Sequence, residues 1–147
     1  MESEELVRRY AAAIAANDFE VLQQLRDRDW HEDWPQSGER VPSDAVYRQI
    51  HENFPGGMPD IEVKDLVSAD DHWVVTPSMT VQRIAGSGDI WFLEGINTYS
   101  GGELYYIVQL LRLRDGRVWH ATTYFASPFD APASRASLTV PIPAERA

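Results

Sequence analysis

The sequence predicts an α+β domain, with N-terminal helices and then a curved antiparallel or mixed sheet wrapped around them as a cone. Three observations carry this expectation. Up to Phe54 the apolar side chains recur at helical spacing. From Asp60 to Ala126 the texture changes to runs rich in β-branched and aromatic residues. Short turn signals separate those runs, as an antiparallel meander requires. Helices first and a sheet second is an α+β layout. A sheet covered on one face leaves a conical cavity beneath the helices.

Each element has its own local reason. Leu6, Tyr10, Ala13 and Ile14 fall at i, i+4, i+7 and i+8, one apolar stripe on a first helix. Asn17-Asp18 breaks that pattern and can cap a second, short helix offering Phe19, Leu22 and Leu25. The helix fades in the charged run Arg26 to Asp29. Trp30 to Trp34 reads as a short strand, and Gln36-Ser37-Gly38 as a turn. Ser43 caps a third helix with Val46, Ile50 and Phe54 on its apolar face, ended by Pro55-Gly56-Gly57. Strands are then expected over 61–69, 73–84, 90–99, 104–114 and 117–126. Pro77 marks a bulge or edge, and Asp115-Gly116 is a hairpin signal. Residues 1–126 are thus expected to form one domain. Residues 127–147 form a tail whose Pro128, Pro132, Pro141 and Pro143 forbid a helix, while Leu138, Val140 and Ile142 alternate as if part of it lay extended against the body.

Composition narrows the function. The chain has 147 residues and a formal charge of −10, with 23 acidic against 13 basic side chains. That balance argues against nucleic acid or an anionic membrane as partner. Without cysteine there is no disulfide, thiolate metal site or cysteine nucleophile. The acidic start Met1 to Glu5 lacks the features of a signal peptide, and no run is long enough to span a membrane, so the expected location is cytoplasmic. Five tryptophans, six tyrosines and five phenylalanines are enough to line a cavity as well as fill a core.

The densest chemistry lies in Trp30-His31-Glu32-Asp33-Trp34-Pro35-Gln36-Ser37-Gly38-Glu39-Arg40. Charge beside large apolar rings is costly except at a pocket mouth or in a paired network. Strand alternation places His31 and Asp33 on one face and Trp30, Glu32 and Trp34 on the other. Asp33 is the first choice for a general base, its pKa raised by burial beside Trp34; the competing role is a salt bridge with Arg40. His31 either assists as a hydrogen-bonded partner or sits at the rim. A one-residue slip of register makes Glu32 the inward acid instead. No metal-binding spacing is present. A site could still assemble from His31, Asp33 and His120, but neither a metal nor another cofactor is expected.

Two segments carry a resemblance. Trp34 to Arg40 is similar to a recurring loop of SnoaL-like proteins, within the nuclear transport factor 2-like superfamily. Asp115-Gly116-Arg117-Val118 followed by Thr123-Tyr124-Phe125 resembles the last hairpin of that family. The resemblance spans roughly residues 4–126 and rests mainly on element order. It implies a cone-shaped α+β barrel and a superfamily that includes ketosteroid isomerases, polyketide cyclases, dehydratases, epoxide hydrolases and non-catalytic binders. The Asp-Arg-Asp set of limonene epoxide hydrolases keeps only Arg83 here, with Thr123 and Ala85 at the aspartate positions, so that reaction is disfavoured. The cyclases' usual acid on the last strand is absent from 117–126. Asp33 stands close to the isomerases' general-base position, one residue further from its proline.

The expected ligand is a small, largely apolar, oxygenated molecule. It is either bound without turnover or acted on by cofactor-independent proton transfer next to a carbonyl: isomerisation, cyclisation or dehydration. Trp30, Trp34, Trp91 and Trp119 are candidates for the cavity wall; Asn97, Tyr99, Tyr105, Gln109 and Thr123 are candidate neutral polar contacts. The apolar run 107–111 points to a homodimer through the outer sheet face.

Overall fold

The computed structural model describes residues 1–53, 80–98 and 104–143. The expected strand 61–69, most of 73–84, Phe54, Pro77 and Tyr99 lie outside the described residues.

Helix α1 (Ser3–Ala16) buries the stripe read from its spacing, with Leu6, Tyr10, Ala13 and Ile14 all in the core. Asn17 ends it in a left-handed conformation (φ 52°). Asp18 then caps α2 (Phe19–Leu25) by accepting a hydrogen bond from the Val21 amide. The chain passes straight from α2 into β1 (Arg26–Trp34), so the charged run is the start of a strand and not a fading helix. A turn at 35–38 leads to β2 (Glu39–Val41), which pairs antiparallel with β1. Gly38 (φ 75°) supplies the left-handed residue that this turn needs. Helix α3 (Asp44–Glu52) follows, capped by Ser43 through the Val46 amide.

The remaining described strands are β3 (Thr80–Ser87), β4 (Ile90–Thr98), β5 (Leu104–Arg114) and β6 (Arg117–Ala126). They form the expected meander. The β5–β6 turn places both Asp115 and Gly116 at positive φ, as a two-residue hairpin requires. The sheet runs β2-β1-β6-β5-β4-β3 among the described residues. Its β1–β6 pairing is parallel and brings the first strand beside the last, which makes the sheet mixed and curls it into an open cone. Trp30, Val41, Ile84, Trp91, Leu93, Ile107, Leu111, Val118 and Ala121 face the helices and pack on α1, α2 and Tyr47 of α3. Among the described residues no helix is long and apolar enough to cross a membrane.

The tail differs from expectation. Residues 127–143 are exposed throughout, and Leu138, Val140 and Ile142 do not pack on the body. A short 3₁₀ turn (Ala133–Arg135) forms between the prolines, since three residues need no long hydrogen-bonded ladder.

Candidate functional site

The alternation on β1 is as expected, but the inward face is the other one. Trp30 is almost fully buried (1% exposed), and two residues on, Glu32 (3%) is buried with it. His31 and Asp33 therefore sit on the outer face of the sheet, only partly covered. Burying an indole yields more than burying an imidazole or a carboxylate, so Trp30 decides the face and Glu32 follows.

Asp33 shows the consequence. Arg40 holds it with two hydrogen bonds (2.6 and 3.0 Å), and His120 Nε2 lies 3.0 Å from its Oδ2. These partners, Arg40 first, outweigh burial and lower its pKa to about 2. The raised pKa expected of a general base is absent. Asp33 is the salt-bridged carboxylate of the competing reading.

Glu32 is the inward acid. Its Oε2 accepts from the Trp34 indole N–H at 2.5 Å and from the Thr123 hydroxyl at 3.2 Å. Gln109 Nε2 reaches its Oε1 at 3.4 Å and also donates to Thr123 Oγ1 at 2.9 Å. Burial raises the Glu32 pKa, against the opposing effects of the Trp34 bond, the Arg26 charge and the Thr123 bond. Arg26 is itself buried. It is paired with Asp44 (2.7 Å), hydrogen-bonded to Tyr10 Oη (3.1 Å) and stacked over the rings of Trp30 (3.7 Å) and Tyr47 (4.0 Å). The cone thus holds a cation and an acid deep among aromatic rings.

Beside this network opens a cavity of about 460 Å³, lined by Trp34, Gln36, Ile50, His51, Tyr105 and Phe125 together with Ser37, Asn97 and Ser127. Trp34 belongs to both, with its ring on the wall and its N–H on Glu32. The loop after it is pinned in place, because Gln36 Oε1 accepts the Phe125 amide hydrogen. His51 is the wall's imidazole. Its Nδ1 lies 2.9 Å from the Tyr47 carbonyl and its ring stacks on Tyr47 (3.9 Å). A carbonyl only accepts, so Nδ1 carries the proton and Nε2 keeps the lone pair. Burial, more than the nearby Arg26, lowers the His51 pKa against the opposing Tyr47 bond.

Of the expected wall residues, Trp34, Asn97 and Tyr105 line the cavity, while Gln109 and Thr123 stand behind it on Glu32. Trp30 and Trp91 are core, the latter donating to the Gly88 carbonyl. Trp119 is on the outer face, edge-on to His31 and under Arg114. Arg83 also faces out and pairs with Glu94. His51 and Phe125 were not singled out as wall residues. The signal for His51 was its place one residue after Ile50 in an amphipathic helix, at the edge of the apolar stripe.

Comparisons with known proteins agree with this fold. The SnoaL-like domain matches residues 7–121. An NTF-2 like protein of unknown function from Burkholderia xenovorans LB400 is 30% identical; the match covers 95% of this chain and 94% of that one, with a TM-score of 0.72. A protein from Kribbella flavida DSM 17836, provisionally described as a ketosteroid isomerase, is 23% identical over 96% and 90% of the two chains, also with a TM-score of 0.72. An LEH-like epoxide hydrolase of M. tuberculosis is 16% identical over 82% and 80%, with a TM-score of 0.53. The last two likenesses show the fold alone. No match is found among curated proteins. The chain belongs to the SnoaL-like family, a branch of the nuclear transport factor 2-like fold.

Proposed function

We propose that this protein takes a small, largely apolar, oxygenated molecule into the cavity and moves a proton on it next to a carbonyl, without a cofactor, as an isomerase, cyclase or dehydratase. One observation carries the reading: an imidazole kept neutral by burial stands on the cavity wall with its proton fixed on Nδ1. His51 Nε2 is then the base that takes an α-proton, and the Nε2–H it gains can be returned to the product. Tyr105 and Asn97 share the wall and can donate to the oxyanion that develops as the proton leaves. Glu32 acts one hydrogen bond further back, as a positioning residue that orients the Trp34 indole. The isomerase description of the Kribbella relative is in keeping with this chemistry.

The test is exchange of α-protons into D₂O for a panel of small cyclic enones, followed by proton NMR. His51→Gln is expected to lower the exchange rate by roughly 10²–10⁴-fold. In the wild type the rate should fall on the acid side only below the ordinary histidine value of about 6.5, because the lowered pKa keeps the ring neutral down to that point. Exchange that His51→Gln leaves unchanged would remove the base. Saturable binding of the enones without exchange would favour the non-catalytic binding protein.

The outer face also supports a homodimer. Ile90, Phe92, Tyr106, Val108 and Tyr124 are 42–49% exposed on neighbouring strands β4, β5 and β6, an apolar patch with the sheet's own continuity. Val108→Glu is expected to shift the species seen by light scattering from dimer to monomer. A wild type that is already monomeric at micromolar concentration would overturn the dimer.

A further inference from the structure

The outer face of β1 and β6 holds a second cluster that the cavity does not use. Parallel pairing sets His31 beside His120 and Asp33 beside Thr122. β6 bulges next to them: Val118 pairs with Leu113 and His120 with Arg112, leaving Trp119 outside the register. The bulge reverses the alternation, so Val118, Ala121 and Thr123 all point inward while His120 turns out to join His31 and Asp33.

The result is a histidine and an aspartate two residues apart on one strand, facing a histidine on the next. One ligand atom from each lies within 4.8 Å of the other two. The His31 and His120 rings stack at 4.5 Å and 27°. His31 Nδ1 lies 3.2 Å from the Asp29 carbonyl, which fixes its proton there and leaves Nε2 as a donor atom for a metal. A backbone carbonyl on the far nitrogen is the usual orienting partner of a metal-bound histidine. Trp119, edge-on to His31 at 5.6 Å, braces the same ring.

We infer that His31, Asp33 and His120 form a binding site for a divalent transition metal of the Zn²⁺ class, with its remaining coordination positions open to solvent. Two imidazole nitrogens and one carboxylate oxygen suit Zn²⁺ and Co²⁺; Mg²⁺ and Ca²⁺ require oxygen donors. Tetrahedral bonds of about 2.0–2.1 Å place ligand atoms about 3.3 Å apart, so a rotation of the partly exposed His31 draws the set together. The metal replaces the His120–Asp33 hydrogen bond (3.0 Å). His120 gives up that contact and carries its ring proton on Nδ1, which frees the Nε2 lone pair. Asp33 keeps Arg40 Nε on Oδ1 (2.6 Å), while Oδ2 gives up Arg40 Nη2 (3.0 Å) and turns to the metal. The guanidinium of Arg40 competes for the same carboxylate and repels the cation, so it sets the affinity down. The site lies on the opposite face of the sheet from the cavity and does not depend on the function proposed there.

The experiment titrates the chelator-treated full-length protein with Zn²⁺ by calorimetry and with Co²⁺ by visible absorbance. One metal per chain is expected, with the absorption of a low-coordinate Co²⁺ centre. His31→Ala and His120→Ala should each weaken binding by at least about tenfold, and Arg40→Gln should strengthen it. Histidine NMR of the wild type gives a readout that needs no variant: Zn²⁺ should shift the Nε2 signals of His31 and His120 and leave His51 unmoved. Absence of stoichiometric binding would overturn the inference. So would binding that leaves the His31 and His120 signals in place, or an Arg40→Gln chain that binds no more tightly than wild type.

Discussion

Glu32 can be removed in two ways that the structure separates. In Glu32→Ala both donors to Oε2 lose their acceptor: the Trp34 indole N–H (2.5 Å) and the Thr123 hydroxyl (3.2 Å). A buried donor left unsatisfied costs about 1–3 kcal/mol. Trp34 lines the cavity and can find water there, while Thr123 is 3% exposed and cannot. Relief of the buried charge offsets part of this, so the net loss is about 1–3 kcal/mol. In Glu32→Gln the amide oxygen takes the place of Oε2 and keeps both donors. Its NH₂ meets Gln109 Nε2 only across a long 3.4 Å contact, so the loss near neutral pH stays within about 1 kcal/mol. The pH dependence adds a second signature. The folded-state pKa of Glu32 is raised, so between the ordinary glutamate value and that raised value the folded state binds more protons than the unfolded one. Wild-type stability from this group is therefore full at acid pH and falls as pH rises through the window. Glu32→Gln has no such slope, and its stability gains on the wild type as pH rises. Urea unfolding of the three proteins at pH 4.5 and 8 measures both effects. A Glu32→Gln chain less stable than Glu32→Ala, or a difference from wild type that is the same at both pH values, would refute a buried carboxyl held by these donors.

Two further outcomes follow from neighbouring groups. Asp44→Ala should cost about 2–4 kcal/mol by urea unfolding, because it strips the hydrogen-bonded carboxylate from Arg26, whose side chain is 1% exposed and is left with Tyr10, the aromatic faces and the more distant Glu32. Asp33→Asn should flatten the acid limb of the stability curve measured by thermal melts. The depressed pKa of about 2 means that Asp33 stabilises the fold above its ordinary value of about 3.9 and that this contribution is lost as pH falls towards 2.

Much of the fold was legible because its signals are local. The stripe Leu6, Tyr10, Ala13, Ile14, the cap at Asp18 and the hairpin at Asp115-Gly116 each lie within a few residues and are decided by nearest-neighbour physics. The start of β1 was not legible. Arg26 to Asp29 carries charge on every residue, and the strand there is held by distant partners: Arg26 is buried against Tyr10, Trp30 and Tyr47, and Asp27 and Asp29 pair with Arg114. The parallel partnership of β1 with β6 joins residues some ninety positions apart, and no local pattern encodes it. Trp119 shows the same limit. Strict alternation puts it opposite His120, but the bulge puts both on the outer face, and a bulge is a property of the pairing and not of either strand alone.

The site depends on the same non-local decision. Glu32 and Asp33 are adjacent carboxyls in one short strand, and by composition either could be the acid of the cone. Their pKa values move in opposite directions, Glu32 up by burial and Asp33 down to about 2 by Arg40 and His120. Nothing in the chemistry of the two side chains accounts for that divergence. It comes from which face of β1 meets the helices, and Trp30 settles that by requiring the core. The loop Trp34 to Arg40 then serves both faces: it turns the chain so that Arg40 returns opposite Asp33 outside, while Gln36 anchors to Phe125 at the cavity mouth. A motif that reads in the sequence as one charged patch is two separate networks, Glu32 with Trp34 inside and Asp33 with Arg40 outside, held apart by the thickness of a single strand.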